Sequence, residues 1–293
     1  MSFDDKSETD QVPIFRFAPS PNGRLHLGHA YSALFTERAA RDVNGTLLLR
    51  IEDIDTVRSK PELIDGIIED LDWLGIEFNG ETRRQSEHFD DYRAATEKLN
   101  NLGVLYPCQA SRNDIKAAID DASHPRDPDD SPIYPGLYRD SKVSPNAPYA
   151  LRLNHVLAIQ LAMHKQSGIV TFTEGLCGPE GEAGLLQVQP EMWGDVVIVR
   201  KDTPSSYNLS VVVDDALQGV THITRGQDLF YTTHIHRVLQ TLMDLPEPHY
   251  FHHELITDDT GRKLSKSAGD RSLKALRDVG VTPADIRYEL GFM

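Results

Sequence analysis

Hydrophobic positions divide the start of the chain into a strand, a helix and a second strand. Residues 14–17 are typical of a short strand, and the two prolines and the glycine of residues 18–23 exclude helix and favour a stiff turn. Apolar residues then recur at helical spacing, which predicts a helix that begins near His26. Residues 46–51 are typical of a buried strand. This order predicts a βαβ unit and therefore a parallel sheet.

Six further segments follow the same kinds of pattern. The apolar stripe from Ile64 to Leu74 predicts a helix, with Pro61 near its start and Gly75 after its end. The other predictions are a helix over 89–102 stopped by Gly103, a buried strand over 196–199, a helix over 206–217, a strand over 222–225 and a late helix over 235–242.

Composition bounds the class of protein. A chain of 293 residues suggests about two domains, or one large domain with an insertion. Hydrophobic residues at 39% allow a buried core and exclude wholesale disorder. The net charge of −15 argues against a basic protein that coats nucleic acid, but allows a local basic patch. Two cysteines cannot build a disulfide scaffold.

Two further features of the sequence bear on location and domain organisation. The acidic N-terminus and the lack of a long apolar run predict a cytoplasmic enzyme that does not contact membranes. Residues 109–148 hold six prolines and many aspartates, which indicates an insertion or loop between two halves of an α/β domain. An ordinary surface excursion is the alternative.

Residues 19–29 (PSPNGRLHLGH) are the sharpest local feature. A strand that runs through a stiff turn into a helix places backbone N–H groups and the positive end of the helix dipole where phosphate binds well. His26 and His29 share a helical face and can donate hydrogen bonds to phosphate oxygens, while Gly28 leaves room for a nucleotide ring. A helix start with two surface histidines is the alternative.

A second candidate motif is basic. Residues 263–267 read KLSKS, and residues 257–277 hold six basic and three acidic side chains in an otherwise acidic chain. A mobile lysine loop can close over a triphosphate and neutralise the leaving pyrophosphate. A solvated basic loop is the alternative.

Together these two motifs, in this order and separation, resemble the ATP-binding signatures of class I aminoacyl-tRNA synthetases. Residues 16–21, 49–55, 73–76 and 212–216 are similar to the glutamyl-tRNA synthetase group, and the resemblance runs from about residue 14 to 270. It implies an α/β fold with a Rossmann-like parallel sheet, an inserted subdomain and a short helical C-terminal extension. The implied units are a tail (1–13), the first half of the sheet domain (14–107), an acceptor-binding-like insertion (108–190), the second half (191–256), and the KLSKS loop with a helical segment (257–293).

The chemistry of glutamate fits residues at the positions that the resemblance implies for its pocket. Two carboxylates and one ammonium require cationic forks and one anion. Arg16 and Arg225 supply guanidinium groups, Glu52 can bind the ammonium, and Ser20 and Tyr207 add hydroxyls. The similar glutaminyl enzymes lack the arginine at position 225. The predicted sites are catalytic His26, His29 and Lys266; ATP-binding Pro19, Gly28, His29, Lys263 and Lys266; and glutamate-binding Arg16, Phe17, Ala18, Pro19, Ser20, Glu52, Tyr207 and Arg225.

The distance from the lysine motif to the last residue narrows the resemblance. Only 26 residues follow Ser267, too few for the helical anticodon-binding domains of glutamyl-tRNA synthetases. The chain thus resembles the glutamyl-Q tRNA(Asp) synthetase family, which activates glutamate without tRNA and transfers it to the queuosine base in the anticodon. The expected partners are L-glutamate, ATP with Mg²⁺, and queuosine-containing tRNA(Asp), and the expected state is a monomer.

The resemblance also allows a prediction about zinc binding. Zinc-binding members of the wider family carry Cys-x-Cys followed by tyrosine and cysteine, whereas this chain has Cys108, Ala110, Tyr134 and Tyr138. Zinc prefers four ligands, commonly thiolate or imidazole, and His124 in the proline-rich stretch is a poor substitute. We therefore predict no structural zinc and no dedicated metal site.

Three alternatives for the function stay open at this point. The first is a minimal glutamyl-tRNA synthetase that charges a tRNA 3′ end. The second is a nucleotidyltransferase that acts on a small molecule, and the third is a catalytically dead tRNA-binding module. The combination of Arg16, Glu52 and Arg225 argues against the second, and the intact histidines and lysines argue against the third.

Overall fold

The first βαβ unit forms where the sequence predicts it. Strand β1 (Ile14–Phe17) leads through the proline turn into helix α1 (Leu27–Asp42), and β2 (Thr46–Ile51) returns parallel to β1. Helix α2 (Pro61–Leu74) follows, and Gly75 ends it in the left-handed conformation, at a φ of 71°. The computed structural model describes residues 12–119, 123–144, 146–257 and 271–293.

The rest of the chain alternates between strands and helices. The predicted helices near residues 89–102, 206–217 and 235–242 and the predicted strands near 196–199 and 222–225 are confirmed to within a few residues. In chain order the elements are β3 (Arg83–Arg84), α3 (Phe89–Asn101), β4 (Leu105–Cys108), α4 (Arg112–Ala117), β5 (Ala150–Leu153), α5 (His155–Gln166), β6 (Thr171–Glu174), β7 (Gly184–Gln187), β8 (Val197–Val199), α6 (Tyr207–Leu217), β9 (His222–Gly226), α7 (Thr232–Leu242), β10 (His249–His253), α8 (Leu273–Asp278) and α9 (Pro283–Glu289).

Two sheets organise these elements. The main sheet has the strand order β3-β2-β1-β9-β10-β6-β7, and its neighbouring strands are parallel except for β6 with β7. A smaller antiparallel sheet has the order β4-β5-β8. The fold class is therefore α/β with a mainly parallel sheet, as predicted. A strand order that departs from chain order is typical of crossover connections through helices.

Sheet membership does not follow the predicted limits of the insertion. Strand β6 lies within residues 108–190 but pairs with β10 in the main sheet. Strand β8 lies within the predicted second half of the sheet domain but pairs with β5 in the small sheet. The resemblance placed these limits along the chain, and the residues of a short strand do not say which strand it pairs with.

Apolar side chains cover both faces of the main sheet. On β10, Tyr250 belongs to a cluster with α6 and α7, while the next residue, Phe251, belongs to a second cluster with α1 and α2. Successive side chains of a strand point to opposite faces, so a parallel sheet buried by helices on both sides needs apolar residues at both sets of positions. The site residues described below come from the ends of these strands.

Asp195 ties the small sheet together. This buried carboxylate accepts hydrogen bonds from the Tyr106 hydroxyl at 2.5 Å, from Arg139 Nη2 at 2.7 Å and from His155 Nδ1 at 2.7 Å. Burial by itself would raise the pKa of Asp195, but the hydrogen bonds from His155, Tyr106 and Arg139 hold it well below its usual range. Asp195 thereby joins β4, the loop before β5 and the start of α5 to the entrance of β8.

Replacing Asp195 by asparagine is expected to destabilise the protein by about 3 kcal/mol, because the neutral amide leaves buried donors and a positive charge unsatisfied. The measurement is the midpoint of urea unfolding. Asp202→Asn is the control, since it breaks the exposed ion pair of Asp202 with Arg200 at 3.0 Å. Equal midpoints for the two variants would mean that Asp195 does not organise this sheet.

The C-terminal segment packs against α1 and the residues just before it. The backbone N–H of Leu273 donates to the carbonyl of Leu25 at 2.8 Å, and Ser272 forms an isolated β-bridge with His26. Arg287 pairs with Glu37 at 2.8 Å. The predicted helical C-terminal segment is therefore present as α8 and α9. No helix in the described part of the chain is long and apolar enough to cross a bilayer.

Candidate active site

A cleft of about 860 Å³ opens at the carboxyl ends of the central strands of the main sheet. Ligands bind at this edge in open α/β sheets because the strand ends and helix starts meet there. Among the predicted site residues, all those in the described part of the chain line this cleft: Arg16, Phe17, Ala18, Pro19, Ser20, His26, Gly28, His29, Glu52, Tyr207 and Arg225. Lys263 and Lys266 lie outside the described residues.

The two histidines of the first motif cap helix α1. His26 is the residue before the first turn, and its Nδ1 accepts a hydrogen bond from the Gly28 N–H at 3.1 Å. His29 Nδ1 in turn accepts from the His26 N–H at 3.3 Å. An imidazole that accepts at Nδ1 carries its proton at Nε2 in the neutral form. Both rings thus present an Nε2 donor at the positive end of the helix dipole.

Gly28 makes room for the His26 ring. A β-carbon at position 28 would lie 3.0 Å from His26 Cε1 and 3.1 Å from His26 Nδ1, closer than ordinary van der Waals contact. The sequence suggested space for a nucleotide ring at Gly28. The structure adds a second reason for glycine, since a side chain there would crowd the ring of the capping histidine.

Arg16 is held by a buried acidic residue whose role the sequence does not reveal. Its Nε donates to Asp215 Oδ1 at 3.0 Å, and its Nη1 donates to the carbonyl of Thr224 at 3.2 Å. Asp215 also pairs with the fully buried Arg50 at 2.8 Å. Arg16 and Arg50 together lower the pKa of Asp215 although burial alone would raise it. Arg16 therefore has an internal counterion.

Glu52 lies at the floor of the cleft, next to this network. Burial raises its pKa to about 7, with Arg50 and Arg16 opposing the shift and Asp215 and Asp214 adding to it. A carboxyl group whose pKa is raised by burial is stabilised as an anion when a cation binds beside it. The position suits an ammonium group.

The pH dependence of catalysis follows from this pKa. Because an ammonium needs the ionised form of Glu52, kcat/KM is expected to fall about tenfold per pH unit below pH ~7, for any amino acid that the site accepts. The measurement is ATP–pyrophosphate exchange with glutamine, the weaker substrate, between about pH 6 and pH 8. Glu52→Gln should lower the rate and remove this titration, and a flat wild-type profile would contradict the role of Glu52.

Arg225 is a buried cation whose hydrogen-bond partners among the described residues are neutral. Its Nε donates to His252 Nε2 at 2.9 Å, its Nη2 donates to Thr233 Oγ1 at 2.6 Å, and its Nη1 lies 3.2 Å from His236 Nδ1. Burial and the positive charge of Arg225 hold the pKa values of His236 and His252 well below the usual range. Within the described residues, no carboxylate lies within ion-pair distance of Arg225. A buried charge without a counterion favours binding of an anion.

Tyr207 and Ser20 complete the cleft. Tyr207 is the first residue of α6, and burial raises its pKa, so its hydroxyl keeps its proton at neutral pH. Ser20 belongs to the turn after β1, where its carbonyl accepts from the Asn22 N–H at 2.9 Å. The two hydroxyls add donors to the cleft between the charged groups.

The residues at the positions of the family's zinc ligands form hydrogen bonds within the protein. Cys108 Sγ lies 3.3 Å from the Tyr134 hydroxyl, and His124 Nε2 is engaged with the carbonyl of Ile133 at 2.7 Å. No group of three or more metal-ligating side chains comes together within the described residues. This donor set does not fit a four-ligand zinc site. The absence of structural zinc stays a prediction.

Comparison with known proteins agrees with this geometry. A family model described as the catalytic domain of class I tRNA synthetases (E and Q) matches residues 14–291. A glutamyl-Q tRNA(Asp) synthetase from Rhodobacter capsulatus is 45% identical over 95% of this chain and 99% of its own length. The chain belongs to this class I synthetase family, in its glutamyl-Q tRNA(Asp) synthetase group.

Two further members of the wider synthetase family are longer than this chain. A glutamate–tRNA ligase from Aquifex aeolicus is 36% identical over 92% of this chain and 54% of its own length. The crystal structure of a glutamate-tRNA synthetase from Elizabethkingia anophelis superposes with a TM-score of 0.67 at 23% identity, and the match covers 92% of this chain and 54% of that one. This likeness confirms the class I synthetase fold.

Proposed function

We propose that this chain activates L-glutamate with ATP and transfers the glutamyl group to the queuosine base in the anticodon of tRNA(Asp). The observation that carries the proposal is the buried Arg225, which lacks a described carboxylate partner and lines the same cleft as Glu52 and the start of α1. An anion site, an ammonium site and a phosphate site then meet in one cleft, which is what an acidic amino acid and ATP require.

The charges of the cleft suggest how glutamate is oriented. Arg16 has a carboxylate partner in Asp215, which it shares with Arg50, whereas Arg225 has no carboxylate partner among the described residues. The carboxylate that distinguishes glutamate from glutamine therefore goes to Arg225, where it removes an unpaired buried charge. Glu52 binds the ammonium, and Arg16 with the Ser20 and Tyr207 hydroxyls steadies the α-carboxylate.

ATP lies with its phosphates at the N-terminus of α1. The α-carboxylate of glutamate attacks the α-phosphorus in line; the new bond gives a mixed anhydride, and the bond to the bridging oxygen breaks to release pyrophosphate. His26 and His29 donate from Nε2 to the phosphate oxygens as charge builds up. Lys263 and Lys266, which lie outside the described residues, are assigned to the phosphates by their motif. Mg²⁺ bound to ATP would offset the charge of the phosphates.

The acceptor of the glutamyl group is proposed from sequence similarity. The relative from Rhodobacter capsulatus is named as a glutamyl-Q tRNA(Asp) synthetase and is matched over 99% of its length. In the second step a hydroxyl of queuosine attacks the carbonyl carbon of the anhydride, AMP leaves, and an ester forms. The net charge of −15 predicts a small contact with tRNA that weakens as salt rises.

The test supplies labelled glutamate and ATP with total tRNA from cells that make queuosine and from cells that do not. The proposal predicts label on tRNA(Asp) from the first source alone, and the label survives removal of the 3′-terminal adenosine. Similarity to the glutamate–tRNA ligase of Aquifex aeolicus favours a second candidate, charging of a tRNA 3′ end. Label on another tRNA that is lost with the terminal adenosine would support this second candidate and contradict the proposal.

A further inference from the structure

A hydrogen-bonded relay runs from Arg225 away from the cleft into the sheet. His252 accepts from Arg225 Nε at 2.9 Å through its Nε2, and its Nδ1 lies 2.5 Å from Glu174 Oε2. Glu174 ends β6, His252 lies on β10 and Arg225 lies on β9, so the relay crosses three neighbouring strands of the main sheet. Glu174 and His252 are 2% and 1% exposed, which keeps water from substituting for either partner.

The relay fixes where one proton sits. Arg225 can only donate, so His252 Nε2 must be unprotonated in order to accept. The proton of the neutral imidazole is then on Nδ1, and Glu174 must be ionised to accept it. The other oxygen of Glu174 accepts from the backbone N–H groups of His252 and Leu176, each at 3.0 Å, which anchors the carboxylate. The pair of Glu174 and His252 thus carries a single proton.

We propose that Glu174 is a positioning residue for amino-acid selection: by holding His252 as an acceptor, it sets the orientation in which Arg225 presents its guanidinium to the side-chain carboxylate of glutamate. This inference rests on the proposed function. His252 accepts the hydrogen bond from Nε of Arg225. Thr233 and His236, which both lie on α7, contact its two Nη groups. If the bond at Nε is lost, the fork rotates and meets the ligand carboxylate poorly, because bidentate pairing depends on the plane of the guanidinium.

A second proton on the pair undoes this arrangement. On His252 it occupies Nε2 and faces the Arg225 donor. If the second proton is on Glu174, the carboxyl group donates it to His252 Nδ1. The proton of the imidazole is then on Nε2, where it again faces the Arg225 donor. Burial raises the pKa of Glu174 to about 7, so the change falls near neutral pH. Selection of glutamate over glutamine should therefore weaken as the pH falls below ~7.

Other groups around the relay do not produce the same signal. The titratable and charged groups that face His252 and Arg225 from the neighbouring elements are Arg16, Asp215, Asp228, His236, Tyr250 and His253. The pKa values of His236 and His253 are lowered by burial, and that of Tyr250 is raised to about 12. Glu52 titrates near pH 7 but acts on the ammonium that glutamate and glutamine share, so it cancels in the ratio of their kcat/KM values.

The decisive variant is Glu174→Gln. The glutamine oxygen keeps the two backbone hydrogen bonds, and its amide then donates to His252 Nδ1, which forces the imidazole proton onto Nε2. We expect the glutamate-to-glutamine ratio of kcat/KM in ATP–pyrophosphate exchange to fall about thirtyfold at pH ~8, mainly through the KM for glutamate, and to lose its pH dependence. Glu247→Gln is the control, because it breaks a Glu–Arg pair with Arg237 at 2.6 Å away from the cleft and should leave the ratio unchanged.

A spectroscopic readout separates this inference from the proposed function. The ¹⁵N shifts of the His252 imidazole should report a protonated Nδ1 in the wild-type protein at pH ~8 and a protonated Nε2 in Glu174→Gln. If Glu174→Gln does not fold, the wild-type shifts and the wild-type ratio between about pH 6 and pH 8 still test the relay. A ratio that is flat with pH, or a wild-type His252 protonated at Nε2, overturns the inference. Failure of the wild-type protein to activate glutamate, with the expected His252 shifts, overturns the proposed function and leaves the relay standing.

Discussion

Replacement of Arg225 by glutamine is expected to lower kcat/KM for glutamate by about 10³-fold and to leave the value for glutamine within a few-fold of wild type. Arg225 is 5% exposed, and its guanidinium has neutral partners in His252, Thr233 and His236. Its charge is compensated when the side-chain carboxylate of glutamate binds. Without it, that carboxylate is buried with no cation and the variant no longer prefers an acid to its amide. ATP–pyrophosphate exchange with the two amino acids measures this.

Two further variants sharpen the Arg225 experiment. Arg225→Lys keeps the charge but loses the fork, so it should retain a preference for glutamate while its kcat/KM stays well below that of the wild type. Arg237→Gln removes an equally buried arginine that pairs with Glu247, and should lower stability while the ratio of the two substrates stays as in the wild type. If Arg225→Gln still selects glutamate, Arg225 does not bind the distinguishing carboxylate.

Replacement of His26 by alanine is expected to have two separable effects. It removes the cap on the Gly28 N–H, which costs about 1 kcal/mol of stability, and it removes an Nε2 donor near the phosphates, which costs about 10²-fold in the rate of adenylate formation. His26→Asn separates the two, because asparagine caps helices well but is too short to carry a donor to the same place.

The measurements for His26 are thermal unfolding and the single-turnover rate of glutamyl-adenylate formation. His26→Asn should regain most of the lost stability and little of the lost rate. If asparagine restored both, His26 would act through the helix cap and not through the phosphates. If neither variant slowed adenylate formation, the phosphate site would have to lie elsewhere in the cleft.

The local part of the fold was predictable from the sequence. The strand over Ile14–Phe17, the helix that follows His26 and the helix over Pro61–Leu74 all carry their signals in adjacent residues: turn formers, apolar periodicity and helix ends. The partners of short strands were not predictable. Strands β6 and β8 belong to different sheets, because pairing is decided by contacts far away in the chain and not by the residues of the strand itself.

The candidate site likewise has residues that the sequence predicted and residues that it did not. Chemistry and resemblance brought Arg16, Glu52 and Arg225 together in advance, and all three line the cleft. The residues that hold them were missed. Asp215 lies within the motif of residues 212–216, but two adjacent acidic residues on a helix do not reveal that one of them faces Arg16. Glu174 and His252 are 78 positions apart, and only the pairing of β6 with β10 makes them neighbours.

The most direct measurement is ATP–pyrophosphate exchange by the purified protein without tRNA, with glutamate and glutamine compared at saturating ATP. We expect exchange that depends on glutamate, with kcat/KM at least ~10²-fold above that for glutamine, because a cleft whose buried arginine has no carboxylate partner among the described residues rejects a neutral amide. Equal rates with the two amino acids would contradict it.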